Sequence, residues 1–102
     1  MTRKELAKSV SEKTGLSKKD AEAAVAAVFA SIKEALLSGE TLTIRGFGTF
    51  SLRYQRARKG RIIRTGETVL IPPRLRVYFD PSDNLQAAVA EKKELLDRFG
   101  GK

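Results

Sequence analysis

The hydrophobic pattern of the chain changes its period once, at Gly39, and this change limits the folds open to it. Before Gly39 apolar side chains recur every three to four residues, as at Val25, Val28 and Ile32, which predicts amphipathic helices. After Gly39 apolar and polar residues alternate, as in residues 50–55, which predicts strands with one buried face. A helical half followed by a stranded half predicts an α+β fold.

Local signals divide the helical half in two. Thr2 and Glu5 form a capping box that opens a first helix, and Gly15 ends it. Ser17 opens a second, longer helix, which Gly39 ends. The sequence therefore predicts two N-terminal helices joined by a short turn.

The stranded half predicts a three-stranded antiparallel sheet that extends into a long β-ribbon arm. Residues 56–64 read RARKGRIIR, with no alternating apolar face, so we expect the distal half of the hairpin to project without a core. We predict a single domain over residues 1–102, with a helical body (1–39), a sheet and arm (40–79) and a C-terminal helix (80–99).

The net charge of +8 lies in one segment, between Thr41 and Phe79. That segment holds nine basic residues and one acid, Glu67, whereas the rest of the chain has equal numbers of each. Arginine, which pairs with phosphate through a planar fork, supplies eight of the nine. This favours a nucleic-acid partner over a merely solvated basic face. The nine basic residues are Arg45, Arg53, Arg56, Arg58, Lys59, Arg61, Arg64, Arg74 and Arg76.

Several other function classes are disfavoured. The chain has no histidine or cysteine, so zinc sites and most nucleophilic triads lack their residues. We predict no enzyme activity, cofactor, metal or small-molecule substrate. No apolar run is long enough for a bilayer, and the basic residues alternate instead of following a helix face, so we expect no membrane partner and a cytoplasmic location. RNA stays an alternative, although the wide, shallow minor groove of its duplex suits a wedge poorly.

Two adjacent isoleucines lie at the predicted tip of the arm. Ile62 and Ile63 stand between Arg61 and Arg64, with no evident core beside them. Proteins that bend DNA through the minor groove insert apolar side chains between base steps. We expect such a wedge here; the alternative is that the isoleucines contact each other or a partner arm.

Several short motifs resemble the bacterial HU and integration host factor family. They are IRGFGTF at residues 44–50, Gly-Arg at 60–61, Thr-Gly-Glu at 65–67 and Phe-x-Pro at 79–81. The segment 44–54 is most similar to the beta chain of integration host factor. The resemblance covers nearly the whole chain.

The resemblance implies an intertwined dimer whose helices form a body, whose sheets form a saddle and whose arms embrace double-stranded DNA through the minor groove. A homodimer is the simpler choice. The implied dimer core consists of Phe29, Phe47, Phe50 and Phe79. The DNA-binding residues that charge and resemblance assign together are Arg45, Arg53, Arg56, Arg58, Lys59, Arg61, Ile63, Arg64, Arg74 and Arg76.

This chain departs from the family pattern at three places. Ile63 replaces a proline at the tip, which makes it the candidate intercalating wedge. Asp80 and Asp83 replace cations on the flank, which predicts a shorter site and less wrapping of DNA. Thr43 replaces a glutamate that accompanies the base-reading arginine matched by Arg45, which predicts weak sequence specificity. We therefore expect a nucleoid protein that bends or compacts DNA with low specificity; the alternative is a sequence-specific bending subunit of a heterodimer like integration host factor.

Overall fold

The structure is a computed structural model that describes residues 1–100. The contacts divide the chain into two compact units, a helical unit over Met1–Ser38 and a sheet unit that begins at Gly39. The α+β class is confirmed. That residues 1–102 form one domain stays a prediction, and residues 101–102 lie outside the described residues. In chain order the elements are α1 (Arg3–Thr14), α2 (Lys18–Leu37), β1 (Leu42–Ile44), β2 (Gly48–Gln55), β3 (Arg58–Arg61), β4 (Thr68–Ile71), β5 (Arg74–Pro81), α3 (Asp83–Ala90) and α4 (Lys93–Gly100).

The helix ends of α1 follow the local chemistry of the sequence. The Glu5 N–H donates to Thr2 Oγ1 at 3.2 Å, and the Thr2 N–H donates to Glu5 Oε1 at 2.8 Å. This reciprocal pair satisfies backbone donors that a helix start leaves free. At the other end Gly15 has a φ of 80°, and its N–H donates to the Ser11 carbonyl. The predicted capping box and glycine stop are both confirmed.

Helices α1 and α2 pack through small side chains. Ser17 caps α2 by accepting from the Asp20 N–H at 3.1 Å. The buried side chains of this unit are Ala7, Ala21 and Val25. Since alanine adds little bulk beyond the backbone, the two helices can approach closely, and the core between them is thin.

The predicted three-stranded antiparallel sheet is present, and its strand order is β1-β2-β5. Phe50 pairs with Phe79 across β2 and β5, and their rings lie 4.8 Å apart between centroids. Phe47 adds a second contact to the Phe79 ring, at 5.5 Å. Gly48 lies beneath this ring: a Cβ there would approach two Phe79 carbons to 2.5 Å. The absence of a side chain at Gly48 is therefore what allows the aromatic cluster to form.

The long ribbon is interrupted midway. The β2–β5 ladder ends with the pair Gln55 and Arg74, and the β3–β4 ladder begins with the pair Arg58 and Ile71. Two residues on each side are unpaired, and on the β5 side these are Pro72-Pro73, which lack the N–H that a ladder needs. We call residues 58–71 the arm.

The C-terminal helix predicted for residues 80–99 is present, but it begins later and is divided. Strand β5 continues through Pro81, and Ser82 caps α3, which starts at Asp83. The helix stops at Ala90, and α4 begins at Lys93. The physical reason is the charged run at 91–94, which separates the apolar residues of the two helices so that no continuous apolar stripe crosses it.

Candidate nucleic-acid interface

One face of the β2–β5 ladder collects cationic and polar side chains. Arg53 pairs with Arg76, and Gln55 pairs with Arg74. Because direct partners share a face and alternate residues along a strand repeat it, all four lie on one side of the sheet. Tyr78, two residues from Arg76, shares this side. We call the five residues the arginine face.

Two contacts organise the arginine face. The Arg53 guanidinium carbon lies 3.4 Å from the centroid of the Tyr78 ring, a cation–π contact. The Arg74 Nε–H donates to Gln55 Oε1 at 2.9 Å. Gln55 and Tyr78 are not among the DNA-binding residues assigned from the sequence. The two-residue period of a strand could have found both, because Gln55 lies two positions from Arg53 and Tyr78 lies two positions from Arg76.

A groove at the ribbon interruption adds further cations. Arg56 lies in the unpaired stretch, and Arg58 opens β3. Together with Arg74 they line a groove whose other lining residues are Gln55, Ile71 and Pro72. The break in the ladder thus brings predicted residues from the sheet and from the arm to one place.

The arm carries the remaining predicted cations. Lys59 and Arg61 lie on β3, and Arg64 lies in the tip loop. All three are exposed. The arm is held by four backbone pairs, from Arg58–Ile71 to Arg61–Thr68.

The two isoleucines of the tip loop differ in their hydrogen bonds and in their exposure. The Ile62 N–H donates to the Glu67 carbonyl at 2.8 Å, and the Gly66 N–H donates to the Ile62 carbonyl at 2.7 Å. Ile62 is 39% exposed, whereas Ile63, the next residue, is 97% exposed. The turn therefore centres on residues 63–65, and it leaves one apolar side chain, Ile63, almost fully exposed.

Arg45 does not join the other predicted DNA-binding residues. It lies in the turn between β1 and β2, at the end of β2 that is remote from the arm. Close by, the Thr49 hydroxyl contacts the Thr43 hydroxyl at 3.3 Å. Asp80, the direct partner of Thr49 on β5, places an anion near this end of the sheet.

The predicted dimer core is split between the units. Phe47, Phe50 and Phe79 contact one another in the sheet unit, whereas Phe29 belongs to α2. In the single chain Phe29 is 41% exposed and Phe47 is 46% exposed. Their assignment to a dimer interior stays a prediction.

The chain is similar to known proteins over most of its length. A family model described as bacterial DNA-binding protein matches residues 1–90. The chain is 47% identical over 92 residues to the SPbeta prophage-derived DNA-binding protein HU 2 of Bacillus subtilis, which covers 90% of this chain and 100% of that protein. Among solved structures, the Anabaena HU–DNA cocrystal superposes with a TM-score of 0.81 at 36% identity, over 89% of this chain and 99% of that one.

The chain belongs to the HU and integration host factor family of bacterial DNA-binding proteins. Membership confirms the resemblance seen in the motifs and the nucleic-acid partner that the charge predicted. Integration host factor subunit alpha of Aliivibrio salmonicida is 44% identical over 91 residues, covering 89% of this chain and 93% of that subunit. The likeness of segment 44–54 to the beta chain stays a prediction.

The family match ends at Ala90, the last residue of α3, so α4 lies beyond it. Within residues 1–100, no helix combines the length and apolar character needed to cross a membrane. In the same residues, no group of three or more acidic side chains is placed to hold a metal ion.

Proposed function

We propose that this protein is an architectural DNA-binding protein that grips the minor groove with its arms and bends or compacts DNA with low sequence specificity. The tip of the arm carries the proposal. Ile63 is 97% exposed there, although burying an isoleucine side chain stabilises a protein by about 1.5–3 kcal/mol. In the free protein nothing buries this side chain, whereas insertion between base steps of DNA would bury it.

The charge of the arm supports the same function. An isolated two-stranded ribbon is marginally stable in water, and the arm has only four paired positions on each strand. Its cations repel one another until an anionic partner neutralises them. The phosphates of DNA do so with release of condensed counterions, and binding thereby orders the arm.

The protein acts as a homodimer. Leu75 and Val77 lie on the sheet face opposite the arginine face, as partners of Tyr54 and Leu52, and they are 63% and 62% exposed in the single chain. An apolar sheet face is stable only when another layer covers it. A second copy supplies that layer and the second arm of the clamp.

Sequence specificity is low because the minor groove offers a degenerate set of donors and acceptors. Arg45 could read a base only from the far end of the sheet, where the neighbouring Thr43 offers a hydroxyl already in contact with Thr49. Selection therefore rests on how easily a sequence bends. Such activity suits the nucleoid, in the cytoplasm.

The deciding experiment measures affinity for a random 30-base-pair duplex, intact and with a central nick, over a range of salt concentrations. Tighter binding to the nicked duplex with a steep negative log–log salt slope is the expected result, because the nick removes part of the unstacking cost. Equal binding to both duplexes would reject bending while leaving DNA binding in place. A chain that is unfolded or monomeric when purified alone would instead favour the heterodimer.

A further inference from the structure

The arginine face holds two like charges opposite each other in the middle of the sheet. Arg53 and Arg76 are direct partners on β2 and β5, and the Cβ atoms of such partners lie about 5 Å apart. Like charges in this arrangement destabilise a sheet. An anion bound at this face reduces the repulsion between the two side chains, so binding of an anion here relieves a cost that the free sheet carries.

Tyr78 restrains one of these two groups. The Arg53 guanidinium lies against the Tyr78 ring at 3.4 Å. The Tyr78 ring is half-buried, whereas Arg53 is exposed. The ring therefore restricts the rotamers of the Arg53 side chain, which would otherwise be free to move in solvent. A guanidinium that stacks through its flat face keeps the N–H donors at its edge available.

Gln55 restrains a third arginine by a different contact. Its side-chain oxygen accepts a hydrogen bond from Arg74 Nε at 2.9 Å. This contact uses one donor of Arg74 and leaves the N–H groups of the two terminal nitrogens, which are able to form an end-on fork with a phosphate.

We propose that Tyr78 and Gln55 are positioning residues that pre-organise Arg53 and Arg74 to bind phosphates of DNA. The inference rests on the proposed function in taking DNA as the anion. Side chains that are already ordered lose less conformational freedom on binding. The two neutral residues therefore add affinity without adding charge.

Because Tyr78 and Gln55 are uncharged, replacing them should change the affinity for DNA but not its dependence on salt. Tyr78→Leu removes the ring and keeps every cation, so affinity for an intact duplex falls about two- to fivefold, the range of an exposed cation–π contact, while the log–log salt slope stays unchanged. Arg53→Gln removes a phosphate contact from each protomer and flattens the slope by about 1 per protomer, or about 2 for the homodimer. Tyr78→Phe keeps the ring and restores affinity.

A double-mutant cycle between Tyr78 and Arg53 distinguishes a positioning role of Tyr78 from a merely structural one. In an Arg53→Gln background, Tyr78→Leu has no further effect if the ring acts through Arg53. An equal loss with and without Arg53 would overturn the proposal. Phe99→Leu is the matched control, because it removes the ring of the Arg98–Phe99 pair, whose guanidinium carbon lies 5.5 Å from the ring centroid in α4, and we expect no change in affinity from it.

A second variant covers the case in which Tyr78→Leu does not fold. Gln55 is exposed at the end of β2, so Gln55→Leu should fold normally and lower affinity about twofold, as for other exposed polar contacts. The loss should vanish in an Arg74→Gln background, and a loss that persists there would overturn the role of Gln55. Failure of the proposed function would appear differently, as equal binding to nicked and intact DNA, and it would leave these comparisons on intact DNA in force.

Discussion

Replacing Ile63 with alanine tests whether this side chain bends DNA, because the change removes the proposed wedge and keeps every cation that binds phosphate. Ile63 is 97% exposed, so Ile63→Ala should leave the stability of the free protein unchanged. In the complex, the change removes about three methylene-sized groups from each inserted wedge, each contributing about 0.8 kcal/mol when buried. The expected loss is about 2.4 kcal/mol for each wedge that is inserted, which corresponds to about 50-fold in affinity per wedge. No cation is removed, so the salt slope should not change.

Fluorescence anisotropy on intact and nicked duplexes gives the affinities, and energy transfer between dyes at the duplex ends gives the bend. We expect Ile63→Ala to lose the preference for the nicked duplex and to leave the DNA straighter. Ile62→Ala is the matched control: it has the same chemistry one residue away, but Ile62 is only 39% exposed and should keep the preference. Wild-type affinity and bend in Ile63→Ala would refute the wedge.

Three further outcomes are expected. Arg58→Gln should weaken binding to all sequences alike and flatten the salt slope by about 1 per protomer, or about 2 for the homodimer, in filter-binding titrations; a loss confined to one sequence would contradict the low-specificity proposal. Gly48→Ala should lower the free energy of unfolding by about 1–3 kcal/mol, measured by urea denaturation, because the new methyl group meets the Phe79 ring at 2.5 Å. Asp80→Lys should lengthen the stretch of duplex protected in footprinting, since it exchanges a repulsive flank charge for an attractive one; an unchanged footprint would show that DNA does not reach this flank.

The parts of the fold that depend on neighbouring residues were predictable from the sequence. The capping box of Thr2 and Glu5 is present as predicted, because its hydrogen bonds join residues three positions apart. The change from helix to strand after Gly39 followed from the period alone. The start of α3 was misplaced because Asp80 and Pro81 offer good helix-start chemistry, yet their pairing with β2 in the sheet prevails.

The parts that depend on contacts across strands were not predictable in the same way. The resemblance singled out Ile63 by its match to a proline, but the difference in exposure between Ile62 and Ile63 depends on the hydrogen bonds of the tip. The contact of Arg53 with Tyr78 joins residues 25 positions apart and depends on the register of β2 and β5. Period-2 alternation could place both on one face, but it could not show that they touch.

The interruption of the ribbon has a consequence for how DNA is released. The ladder between β2 and β5 has eight paired positions, whereas the arm beyond the interruption has four. The proline pair at 72–73 isolates the short ladder from the long one, so the arm can open while the sheet keeps its hydrogen bonds. We therefore expect departure from DNA to proceed in stages, with a half-open complex in between. A second duplex can enter such a complex before the first has left, and the lifetime of the bound state should therefore shorten as the concentration of competing DNA rises.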